Sequence, residues 1–153
     1  VIEVDARLQS FLNRSAGLTG FSHSELLFTG VADRLLAAVD ACLPAGVLDR
    51  LLAFDGEDEA LLADPELGPV ARNLVVAWYC GTWTALPDDW RATYGAAAGD
   101  TNHVLFPEAY LAGLQWVAAG AHPPGASEQG YGSWAVPRGE IGTPAALKAA
   151  VRR

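Results

Sequence analysis

The sequence predicts an all-α protein, a compact bundle of about five helices followed by an extended Pro/Gly-rich C-terminal tail. Three observations carry that expectation. Apolar residues recur at helical spacing through most of the first 121 residues, with capping and breaking residues between the runs. No stretch alternates apolar and polar residues as a half-buried strand does. From His122 onward the chain holds four of its nine prolines and many glycines, which excludes regular helix and central strand. A chain of 153 residues is one domain's worth of protein. The expected division is a helical domain over 1–121 and a tail over 122–153 that packs on a partner.

The elements follow in order. Val4, Leu8, Phe11, Leu12, Ser15 and Leu18 trace one helix face, which Gly17 and Gly20 bring to a stop. Ser22-His23-Ser24-Glu25 has the form of a capping box and opens a second helical stretch. Gly30 breaks it, and Val31, Leu35, Leu36, Val39, Cys42 and Leu43 form the stripe of a helix running to Pro44. Pro44 restarts a short helix with Val47, Leu48, Leu51 and Leu52, closed by an acidic run, Asp55 to Glu59, that reads as a solvated loop.

Asp64-Pro65-Glu66 combines an N-cap, a proline where no N–H is needed and a carboxylate at the positive end of the helix dipole. It predicts a helix from Pro65 to about Trp83, with Val70, Leu74, Val75 and Trp78 buried. Gly81 leaves room there for another backbone to come close. Pro87 to Asp100 has no periodicity and reads as a long ordered loop. Phe106-Pro107-Glu108 opens a last long helix bearing Tyr110, Leu111, Leu114, Val117 and Ala118, with Gly120 as its C-cap. A short helix capped by Thr143 is expected from Pro144.

Composition narrows the function. Hydrophobic residues make up 51% of the chain and charged residues only 18%, so some apolar surface is expected to meet a partner. A net charge of -8 with 10 Lys and Arg leaves no basic patch able to neutralise a phosphate backbone, which argues against nucleic acid. The apolar stretch Leu74 to Leu86 is short of the roughly 20 residues of a membrane-spanning helix. The chain has no Met, so Val1 is not expected to be the translation start; a cleaved export signal and a trimmed start both account for it.

The chemistry of the residues points away from catalysis. His23, His103 and His122 lie in dissimilar contexts, none beside a nucleophile and no two at metal-binding spacing. The glycines lead into no strand, as a phosphate cradle would require. Cys42 and Cys80 fit neither a metal site nor a Cys-x-x-Cys motif and read as buried small hydrophobes. No cofactor or metal is expected in this chain.

The aromatic residues are the stronger signal. Trp78 and Trp83 are five positions apart and cannot share a face of one straight helix, so one of the run Trp78-Tyr79-Cys80-Gly81-Thr82-Trp83 is expected to face outward unless both are in the core or under the following loop. Trp116 falls at the edge of its helix stripe. Gly130-Tyr131-Gly132-Ser133-Trp134 sits in an irregular segment with little core of its own, where large rings serve as anchors into a partner. The candidate interface residues are therefore Trp78, Tyr79, Trp83, Trp116, Tyr131, Gly132 and Trp134.

In order, Phe11-Leu12, Gly17-Leu18-Thr19-Gly20-Phe21, Ala77-Trp78-Tyr79-Cys80-Gly81-Thr82, Tyr110-Leu111-Ala112-Gly113-Leu114-Gln115-Trp116 and Gly130-Tyr131-Gly132-Ser133-Trp134 resemble a known family. It is the small, or gamma, subunit of bacterial FAD-dependent sugar and alcohol dehydrogenases, including the sorbitol, fructose and glucose dehydrogenase and glucoside 3-dehydrogenase complexes. The resemblance spans about Asp5 to Pro137. It implies a periplasmic, membrane-associated complex in which a large subunit of the glucose-methanol-choline type carries the FAD and performs the oxidation, often beside a cytochrome c subunit. The small subunit would carry no cofactor, bind and stabilise the flavoprotein, and act as its chaperone in twin-arginine export.

Two departures stand out. Some members have a cysteine before the Gly-aromatic-Trp segment, and Ala126 to Gln129 offers none, which removes a covalent link between subunits there. The Pro87–Asp100 segment is also longer than in the sugar dehydrogenase members. The alternative expectation is a free-standing small-molecule-binding protein or enzyme, with a pocket in the 88–103 loop that includes Trp90, Tyr94 and His103.

Overall fold

The computed structural model describes residues 5–121 and Pro123, and the chain is mostly helical over them. The order is α1 (Ala6–Thr19), α2 (His23–Phe28), α3 (Ala32–Ala41), α4 (Val47–Ala53), α5 (Asp58–Ala63), α6 (Leu67–Cys80), β1 (Thr82–Trp83), α7 (Asp88–Tyr94), β2 (His103–Val104), α8 (Pro107–Leu111) and α9 (Leu114–Ala118). One compact unit ends at Gly113 and a second begins at Leu114; among the described residues the second holds α9. The tail expected over 122–153, and the short helix expected after Pro144, lie outside the described residues apart from Pro123.

Helix α6 is the centre of the first unit, with α1, α3, α4, α5, α8 and β1 all packed on it. Leu67, Val70, Ala71, Leu74, Ala77 and Trp78 are buried at the three- and four-residue spacing that keeps one stripe inward. Val75, expected to be buried, is only half-buried. The start follows the expected chemistry: Asp64 Oδ1 accepts from the backbone N–H groups of Glu66 and Leu67 at 2.9 and 2.8 Å. Pro69 stands in the first turn, where its missing N–H leaves nothing unpaired.

Several boundaries differ from the sequence expectation, each for a local reason. The acidic run begins a helix, because Asp58 and Glu59 occupy the first turn of α5 where the dipole favours them. The presumed loop after Pro87 contains α7, with Asp88 and Asp89 in its first turn and Arg91 in its last. The last long helix is divided at Ala112-Gly113 into α8 and α9. Thus more and shorter helices replace the roughly five expected. The capping box is as predicted: Ser22 Oγ accepts from the Glu25 N–H at 3.2 Å, and Glu25 Oε2 from the Ser22 N–H at 2.8 Å.

Helix α6 ends at Gly81, not near Trp83. Gly81 takes a left-handed conformation, φ +68°, and its N–H bonds back to the Ala77 carbonyl at 2.9 Å. The chain turns there into β1, which pairs antiparallel with β2 through Thr82↔Val104 and Trp83↔His103. This two-residue ladder is too short to leave an alternating pattern in the sequence.

Candidate functional site

The turn at Gly81 settles the arrangement of the two tryptophans. Because the backbone changes direction between them, Trp78 on α6 and Trp83 on β1 both point inward, 2% and 1% exposed. Of the two arrangements expected, the one with both rings buried is found, and the alternative of an outward-facing Trp78 or Trp83 is corrected. The straight-helix premise fails at Gly81.

The Trp78–Thr82 run is instead a meeting point of distant segments. Phe11 on α1 stacks on Trp78, with ring centroids 5.9 Å apart. The Tyr79 hydroxyl donates to the Thr19 carbonyl at 2.8 Å, and Phe21 meets the Tyr79 ring edge-on at 6.0 Å. Tyr79 is half-buried, with its hydroxyl and one ring contact committed within the chain.

On the other side Gly81 lies directly against the backbone of Ala109 and Tyr110, and Gly113 against the Tyr79 carbonyl. A side chain at either glycine would overlap main-chain atoms at 2.4–2.5 Å, so the close approach expected at Gly81 is real and is made by α8. Leu105 N–H adds a bond to the Gly81 carbonyl at 2.9 Å. Segments around Phe11, Thr19, Tyr79 and Tyr110–Gly113 are thus joined at one end of α6.

The segment between the strands is held by a residue that sequence reasoning missed. Asp100 is 3% exposed, and its Oδ1 accepts from the Trp83 indole N–H at 2.8 Å and the Leu86 N–H at 2.9 Å. Oδ2 has no hydrogen-bond partner, and the Arg91 Nε stands 3.8 Å from it. Asn102 supports the same turn by accepting from the Ala85 N–H at 2.7 Å. Trp90 is buried and donates to the Glu66 carbonyl at 2.8 Å, with Tyr94 tilted against it at 5.3 Å. His103 is exposed on β2, its Nδ1 2.6 Å from the Thr101 carbonyl. Trp90 therefore serves the core.

Among the described residues, large apolar side chains reach solvent away from the Trp78–Trp83 run. In the first unit they are Leu27 and Phe28 at the end of α2, Val104 on β2, and Tyr110 and Leu111 on α8; Phe28 is 86% exposed. Arg34 at the start of α3 pairs with Glu108 at 3.4 Å and lies over the Phe106 ring at 4.3 Å, tying the α2–α3 corner to the start of α8. In the second unit Trp116 is half-exposed and Val117 is exposed. Tyr131, Gly132 and Trp134 lie outside the described residues.

No protein-family model, curated protein or solved structure matches the chain. Its own chemistry is what remains to be read. A shallow depression of about 320 Å³ along α1 is lined by Ser10, Asn13, Arg14 and Leu52. Its guanidinium is already engaged, since Arg14 pairs with Asp58 at 3.3 Å, donates to the Phe54 carbonyl and stacks over the Phe54 ring.

The thiols are not bridged to each other. Cys42 is buried, donates to the Ala38 carbonyl at 3.3 Å, and has its pKa pushed up to about 11 by burial and then by the nearby Asp100 charge. Cys80 is half-buried rather than buried. Among the described residues no group of three or more His, Cys, Asp or Glu side chains is placed to hold a metal ion, and no helix is long and apolar enough to cross a membrane.

Proposed function

We propose that this chain is the non-catalytic small subunit of a periplasmic FAD-dependent sugar or alcohol dehydrogenase of the glucose-methanol-choline type. It binds and stabilises the flavoprotein large subunit and aids its twin-arginine export. FAD belongs to that partner, and a cytochrome c subunit completes the complex in the family that the sequence resembles.

The observation that carries this reading is the convergence on Tyr79. Four of the five segments behind the resemblance, scattered from Phe11 to Trp116, have residues in that one cluster: Phe11, Thr19 with Phe21, Trp78 to Gly81, and Tyr110 with Gly113. Residue types that look like loose similarities along the sequence are one packing unit in space. The exposed Phe28, Tyr110 and Leu111 give a second support, since large apolar groups held in water on capped or packed helices suit association.

The test is expression of a glucose-methanol-choline type flavoprotein large subunit from the same source, with and without this chain. The expected outcome is co-purification, with the yield of exported, flavin-loaded large subunit falling at least about tenfold when this chain is omitted. Full export and flavin loading of the large subunit alone would refute the reading.

A further inference from the structure

Phe28 is the most exposed large apolar side chain among the described residues, at 86%, and the structure beneath it is rigidly made. Its helix is fixed at one end by the Ser22–Glu25 capping box. At the other end the Thr29 hydroxyl donates to the Leu26 carbonyl at 2.6 Å, while Leu26 itself is fully buried. Leu27 beside it is 40% exposed. An aromatic ring held out on a fixed backbone loses little freedom on association, which is the property of an interface anchor.

The surroundings are acidic. Glu25 and Asp33 are exposed on either side of the corner, and Arg34, the neighbouring cation, is occupied by Glu108 and Phe106. Two interactions with Ser22 also lower the pKa of Glu25, keeping it charged. The whole chain carries -8. A complementary face is therefore an apolar pocket with a cationic rim.

Charge decides between a second copy and a different protein, because two copies meeting at this corner would set Glu25 and Asp33 of one against the same carboxylates of the other. Taken together, the exposed parts of Leu27, Phe28, Val104, Tyr110 and Leu111 come to on the order of 500 Å², against the roughly 800 Å² per partner of a stable interface.

We infer that the α2–α3 corner docks a heterologous protein, with Phe28 inserted into an apolar pocket rimmed by Lys and Arg. This rests on the reading above, in which that protein is the flavoprotein subunit.

The experiment uses the full chain and its flavoprotein, with binding measured by titration at several salt concentrations for wild type, Phe28→Ala and Phe28→Glu. Thermal unfolding of each variant alone, expected to match wild type at so exposed a site, shows that the fold is kept. The expected result is roughly 30-fold weaker binding for Phe28→Ala, a larger loss for Phe28→Glu, and wild-type affinity that falls as salt rises. Wild-type affinity in both variants overturns the inference while leaving the proposed function standing. So does a Phe28→Ala defect confined to self-association, which would make a second copy the occupant. Salt-independent binding overturns the cationic rim, and a wild-type chain that binds no flavoprotein overturns the proposed function and the inference with it.

Discussion

Replacing Gly81 by alanine tests the junction that organises the molecule. Two effects add at this position. The left-handed conformation, φ +68°, costs a residue with a Cβ about 1 kcal/mol. The new Cβ would also stand 2.4 Å from the Tyr110 nitrogen and 2.5 Å from the Ala109 carbonyl carbon, main-chain atoms that yield only if α8 shifts as a body. Overpacking of that kind costs about 2 kcal/mol, for a total near 3 kcal/mol.

Gly20 is the control, because it has a similar φ of +80° and nothing within 4 Å of an added Cβ. Gly20→Ala should lose only the conformational part, about 1 kcal/mol. In urea, with a slope of about 2 kcal/mol/M, the midpoint should fall by about 1.5 M for Gly81→Ala and about 0.5 M for Gly20→Ala. Equal shifts for the two variants would mean that α8 does not sit on Gly81, and the account of the Tyr79 cluster would fail with it.

Five further outcomes can be measured. Asp100→Ala strips the Trp83 indole and the Leu86 N–H of their acceptor and should destabilise the chain by about 3 kcal/mol, with Asp100→Asn retaining part of the loss; urea midpoints read both. Cys42 should resist alkylation in the folded chain while the less buried Cys80 reacts first, followed by mass spectrometry. Because the Cys42 pKa is raised on folding, its contribution is complete below 9.0 and should be lost as pH climbs toward about 11, where unfolding titrations should show falling stability that Cys42→Ala removes. The Glu25 pKa is lowered on folding, so its support of α2 is present above 4.5 and should fade as pH falls below it, an acid sensitivity that Glu25→Gln abolishes in far-ultraviolet dichroism. Tyr131→Ala and Trp134→Ala should each weaken association with the flavoprotein by about 2 kcal/mol, read by titration, with unchanged thermal unfolding of the isolated chain.

What could be read from the sequence is what local chemistry decides. Ser22 and Glu25 satisfy each other within four residues, Asp64 caps within three, and the stripe through Val70, Leu74 and Trp78 needs only helical spacing, so these were legible. Gly81 announced a close approach but not its partner, which arrives from α8.

The direction of Trp83 was not legible, because it depends on one left-handed residue two positions earlier. Helix α7 was hidden for a related reason: Trp90 is its only buried residue, and a seven-residue helix with one inward side chain has no period to detect. Asp100 carries no local pattern at all, since its two donors come from Trp83 and Leu86 and are brought to it by the turn of the chain. The exposed Leu27 and Phe28 were invisible because apolar residues in a run with buried Leu26 read as core until burial distinguishes them.

The central claim is that the oxidising centre lies in another polypeptide and that this one holds it in place. It is tested most directly by separating the purified two-subunit complex and following flavin absorbance and dye-linked sugar or alcohol oxidation in each part. Flavin and turnover should travel wholly with the large subunit, whose stability falls once this chain is gone. Bound flavin or measurable turnover in this chain by itself would contradict the account.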